Sequence, residues 1–140
     1  MPARILVADD DPEIRDFYRM VLAEHFELIF ARDGAEAWRL YEEEKPRLVV
    51  TDLNMPGMNG LELTKRIRSE SSRPDTPVII ITGTTRDSDL PPGFWNIGAG
   101  ANRFLEKPFK PDDLVAEIRR QLVLYAQANA KPLPPGKGHY

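Results

Sequence analysis

The chain has 140 residues, with 22 acidic and 19 basic side chains for a net charge of −3, no cysteine and two histidines. The length fits one domain, and the charge provides no basic field for direct contact with nucleic acid. The composition excludes a disulfide scaffold, a thiolate metal site, a cysteine nucleophile and a histidine metal cluster.

In chain order, the N-terminus reads MPARILVADDD, whose short apolar run is too brief for a secretory signal. No apolar stretch approaches the roughly 20 residues of a membrane span. Both features point to the cytoplasm. The first run, Ile5–Ala8, is followed by Leu28–Phe30, Leu48–Val50, Val78–Ile81 and a weak Phe104–Leu105. They are apolar throughout rather than alternating, which predicts strands buried on both faces.

Helical patterns lie between the runs. Ile14, Phe17, Tyr18, Val21 and Leu22 form one apolar stripe, with Asp11 as N-cap and Pro12 at the first helical position. Ala35, Ala37, Trp38, Leu40 and Tyr41 make a second helix, opened by Asp33. Leu61, Leu63, Thr64 and Ile67 make a third. Leu114, Val115, Ile118, Leu122 and Tyr125 make a last one, with Pro111 near its start. Alternating strands and helices predict an α/β domain, a parallel sheet with helices on both faces. Trp38 is expected in ordinary core packing, and His25, near the end of the first helix, suits the dipole there as a cation.

The stretch TGTTRDSDLPPGFWNIGAGANRF breaks this rhythm. Proline costs a helix interior about 3 kcal/mol and glycine about 1 kcal/mol, so Pro91, Pro92 and Gly93 predict one short helix or none. Residues 128–140, rich in proline and glycine, read as a flexible tail or the start of a linker.

The acidic residues stand where the predicted strands end. Asp9 and Asp10 follow the first run and Asp52 the third, while Thr82 ends the fourth and Lys107 follows the fifth. The carboxyl edge of an open parallel sheet is where ligands bind. Carboxylates gathered there repel one another, and a hard divalent cation relieves that repulsion. A cation so held draws in phosphate oxygens, Lys107 and Thr82 contact further ones, and one carboxylate becomes a nucleophile.

Four blocks, ILVADDDPEIR, LVVTDLNMPGMNGLEL, VIIITG and FLEKPF, together resemble the receiver domain of two-component response regulators, over roughly residues 3–127. The resemblance implies a doubly wound, flavodoxin-like sheet of strand order 2-1-3-4-5, with residues 1–127 as the receiver. It implies Asp52 as phosphoacceptor. Asp10 would be the direct ligand of Mg²⁺ (or Mn²⁺), Asp9 would hold the ion through water, and the Asn54 backbone carbonyl would complete the shell. Thr82 resembles the switch hydroxyl and Lys107 the family's lysine. The Lys107–Pro108 bond matches a position usually cis, and Phe104 the aromatic that reports the state. Gly83 would leave the site open to a partner or to water. Asn54 and Thr84 match the positions associated with the rate of phosphoryl loss.

The sequence departs from the family at its fourth helix, where Leu90–Trp95 carries two prolines and two aromatics. That puts the family's dimer and output surface in doubt. The first expectation is a receiver phosphorylated by a sensor histidine kinase or a histidine phosphotransfer protein, signalling to a protein target, with homodimerisation left open. It is not an enzyme beyond its own phosphorylation and dephosphorylation. The alternative is a phosphorylation-independent binding module using residues 90–98. An aspartate-nucleophile phosphatase, with its D-x-D pattern after the first strand, is disfavoured, because Asp9 and Asp10 are adjacent, Asp11 reads as the N-cap and the third-strand motif reads DLN. The chain reads either as a single-domain regulator or as the receiver part of something longer.

Overall fold

A computed structural model describes residues 2–83 and 100–128. Its strands are β1 (Arg4–Ala8), β2 (Glu27–Ala31), β3 (Leu48–Asp52), β4 (Val78–Thr82) and β5 (Arg103–Glu106). They form one parallel sheet in the order β2-β1-β3-β4-β5. The helices are α1 (Pro12–Leu22), α2 (Gly34–Glu44), α3 (Gly60–Glu70) and α4 (Pro111–Ala128). The doubly wound architecture and strand order agree with expectation.

The sheet separates two cores. On one face Leu6, Ala8, Val49 and Ile80 pack with Ala37 and Tyr41 of α2 and Leu63 and Ile67 of α3. On the other Ile5, Val7, Val50, Ile79 and Ile81 pack with Tyr18 and Leu22 of α1 and Leu114 and Ile118 of α4. Uninterrupted apolar runs follow from this, since both faces of the central strands are covered.

Local chemistry sets the helix starts. Asp11 caps α1 by accepting from the Glu13 N–H, with Pro12 at the first position, and Asp33 caps α2 by accepting from the Glu36 N–H. Asn59 and Glu62 form a reciprocal capping box on α3. Trp38 packs at the rim of the α2–α3 core, stacked on Tyr41 and covered by the Arg66 guanidinium.

His25 lies just beyond the end of α1. Its Nδ1 lies 2.9 Å from Nη2 of Arg119 in α4. Among the described residues, no helix is long and apolar enough to cross a membrane. Thr84, the irregular fourth-helix segment with Phe94 and Trp95, the 90–98 module and the tail beyond Ala128 lie outside the described residues.

Candidate functional site

The neighbouring positions of β1 and β3 bring the acidic residues together. Asp9 is one residue beyond β1, and its N–H still donates to the Ala31 carbonyl at 3.1 Å. Asp52 is the last residue of β3 rather than the first after it. Ligand oxygens of Asp9, Asp10 and Asp52 all lie within 4.8 Å of one another.

The three carboxylates differ in setting. Asp9 is only 2% exposed. Its Oδ1 accepts from the Asp11 N–H at 2.9 Å, while its buried Oδ2 has no hydrogen-bond partner among the described residues. Asp10 is exposed and Asp52 is half-buried.

Across the crevice, the Lys107 N–H donates to the Thr82 carbonyl at 2.8 Å, extending the β4–β5 ladder. That bond sets Lys107 beside the end of β4, and its Nζ lies 3.6 Å from Asp52 Oδ1. Thr82 is 4% exposed, and Gly83 is half-buried. The Lys107–Pro108 peptide is cis. Asn54 is exposed between buried Leu53 and Met55. Phe104 pairs with Ile80 in the sheet and packs against the α2–α3 core.

Burial dominates the electrostatics. It pushes the Asp52 carboxyl up to about 6, with Lys107 opposing and Asp9 and Asp10 reinforcing. Burial also raises Asp9, against the pull of the Asp11 N–H and of Lys107. Carboxylates that resist ionisation in such a crevice are relieved by a cation. The donor set is all hard oxygen, and Asp9 Oδ2 is buried without a partner. These residues therefore fit a small divalent ion such as Mg²⁺ or Mn²⁺.

Several supporting residues escape a reading of motifs. Arg15 Nη1 donates to the Asp9 carbonyl at 2.8 Å, tying the first turn of α1 to the end of β1. Its only sequence signal is its place one turn into the helix after the aspartate run. Gly60 starts α3 directly against β3: a Cβ there would run into the Asp52 carbonyl oxygen. The Gly60 N–H donates to the Leu53 carbonyl at 3.0 Å. The loop between them turns at Gly57, whose φ of +74° favours glycine. The loop and helix therefore press on the backbone that carries Asp52.

Comparison with known proteins places this arrangement. A family model described as the response regulator receiver domain matches residues 5–119. Response regulator GtcR of Aneurinibacillus migulanus is 39% identical over 123 residues, covering 87% of this chain and 48% of that protein. DNA-binding response regulator MtrA of Mycolicibacterium smegmatis is 37% identical over 123 residues, covering 87% of this chain and 51% of that protein. The chain thus spans about half the length of these curated relatives. Among solved structures, a CheY-like response regulator receiver domain protein from Methanospirillum hungatei superposes with a TM-score of 0.81 at 29% identity, covering 92% of this chain and 100% of that one. The family match over most of the described sheet, with relatives agreeing across the same span, shows that this chain belongs to the response regulator receiver domain family.

Proposed function

We propose that this chain is a phosphoryl-accepting receiver in which Asp52 takes the phosphoryl group from a histidine kinase or a histidine phosphotransfer protein. The observation that carries the reading is the gathering of three carboxylates within 4.8 Å, with Lys107 Nζ 3.6 Å from Asp52. Asp9, Asp10, Asp52 and the Asn54 backbone carbonyl would hold Mg²⁺ or Mn²⁺, which when bound neutralises phosphoryl oxygens and favours the ionised form of Asp52.

An ionised Asp52 oxygen attacks phosphorus as the bond from phosphorus to the donor's imidazole nitrogen breaks. The bonding pair leaves with that nitrogen. Little covalent work falls to other side chains, because phosphoryl transfer depends chiefly on positioning and charge. Lys107 neutralises one phosphoryl oxygen. The Thr82 hydroxyl donates to another and turns inward to do so, and Phe104 follows on the adjacent strand. Gly83 leaves the approach open, and Asn54 and Thr84 set the rate of loss. The chain acts on its own Asp52 rather than turning over a separate substrate. A cytoplasmic location and a protein target go with this reading, as does a receiver over residues 1–127 with a tail or linker start after it.

Incubation with acetyl phosphate and Mg²⁺ tests it. One phosphoryl mass should appear on the wild type and disappear with chelator or in Asp52→Ala. An adduct that survives Asp52→Ala overturns the assignment.

A further inference from the structure

Tyr18 sits in the core between α1 and the sheet, 1% exposed, among Val7, Ile81 and Leu114. Its hydroxyl is buried and has no hydrogen-bond partner among the described residues. Tyr41, equally enclosed in the opposite core, bonds Thr76 Oγ1 at 2.7 Å and the Arg73 carbonyl at 3.0 Å. A buried hydroxyl without a partner is destabilising, and phenylalanine would fill the same place in the apolar stripe without that penalty. The Tyr18 oxygen therefore calls for a role that packing does not supply.

Its position suggests one. Tyr18 stands six residues past Pro12, about 9 Å along the helix axis. Helical side chains lean back toward the helix N-terminus, and α1 begins at Pro12, three residues after Asp9. Val7, which packs with Tyr18, lies two residues before Asp9 and so shares its face of β1. Ile81, also in contact with this cluster, pairs with Asp52 in the sheet. The Tyr18 ring and Lys107 both wall a cavity of about 270 Å³. Burial, then the charges of Asp9 and Asp52, hold the Tyr18 proton more firmly than usual, so the hydroxyl stays a donor within their field. Asp9 Oδ2 is the buried acceptor that lacks a partner.

We propose that Tyr18 is a positioning residue of the acidic site, its hydroxyl donating through one buried water to Asp9 Oδ2 and holding that carboxylate ready for the cation. A single buried water commonly joins such otherwise unsatisfied groups. The inference rests on the cation reading above. It adds a side chain that touches neither cation nor phosphoryl group but orients one that does.

The test compares the full chain with Tyr18→Phe. Mg²⁺ is titrated by calorimetry and by NMR of protein labelled at tyrosine Cζ, with the Tyr18 signal assigned by its loss in Tyr18→Phe. Tyr18→Phe should bind Mg²⁺ about tenfold more weakly, with no gain in its urea midpoint without metal. The Tyr18 Cζ signal should move as Mg²⁺ binds. Ile118→Val loosens the same core and should leave Mg²⁺ affinity unchanged. Mg²⁺ affinity of Tyr18→Phe within about twofold of wild type, below the range for such supporting partners, overturns the proposal while leaving the cation reading intact. A wild type that binds no Mg²⁺ overturns both.

Discussion

Asp52→Asn should make the metal-free protein more stable. The carboxyl titrates at about 6 in the fold against 3.8 for the free group. At about 1.36 kcal/mol per pKa unit, the ionised side chain then destabilises the native state by about 3 kcal/mol above pH 7. Asparagine keeps the shape and removes the charge, and the site is enclosed, with the Asp52 side chain 13% exposed. That shift already includes the opposing pull of Lys107, whose side chain is 34% exposed and whose pair with Asp52 contributes about 1 kcal/mol or less. The gain is about 3 kcal/mol, or roughly 8–12 °C in Tm for a domain of this size. The sign depends on pH. A carboxyl with a raised folded pKa favours the fold below 3.8 and loses that contribution as pH rises through about 6. The advantage of Asp52→Asn should therefore be full at pH 8, about half as large at pH 5, and gone well below 3.8. Urea denaturation in chelator, with a common slope for both proteins, measures it. Added Mg²⁺ should narrow the gap by stabilising only the wild type. An asparagine variant no more stable than wild type at pH 8 in chelator would mean that attraction to Lys107 outweighs burial, refuting the reasoning.

Gly60→Ala should lower the unfolding free energy measured in urea by about 1–3 kcal/mol, because its Cβ meets the Asp52 carbonyl; a neutral or stabilising result, as alanine gives in an open helix, would show that α3 does not press on β3. Tyr41→Phe should lose about 1–2 kcal/mol in the same assay, since it leaves buried Thr76 without its 2.7 Å partner.

The sheet was legible because its central strands are enclosed on both sides, so Leu48–Val50 and Val78–Ile81 read as unbroken apolar runs. Strand ends were not. Arg4, Glu27, Asp52, Arg103 and Glu106 carry ladder positions with polar side chains, and a hydropathy pattern cannot distinguish them from loop. Strand order came from resemblance, since apolar runs say nothing about which strands are neighbours. The acidic residues and Lys107 were legible as a set through their places at strand ends. Arg15 and the contact of Gly60 with β3 were not, because each depends on a backbone atom brought near by tertiary folding. The α3 capping box is visible, as Asn59 followed three residues later by Glu62 before an apolar run. The Tyr18 hydroxyl was hidden by its own stripe, where periodicity counts the ring and ignores the oxygen.

Arg68 near the end of α3 makes four bonds at once, to the carbonyls of Pro74, Thr76 and Gly100 and to Asn102 Oδ1. Asn102 Oδ1 also accepts from the Val78 N–H at the start of β4. The approach to β5 is thus pinned to α3 and β4 just before the strand begins, as the Thr82–Lys107 bond pins its far end. For protein engineering this makes Arg68 and Asn102 the residues to keep: while they stand, changes at the exposed face of β5 should leave the strand, and Lys107 at its far end, in register.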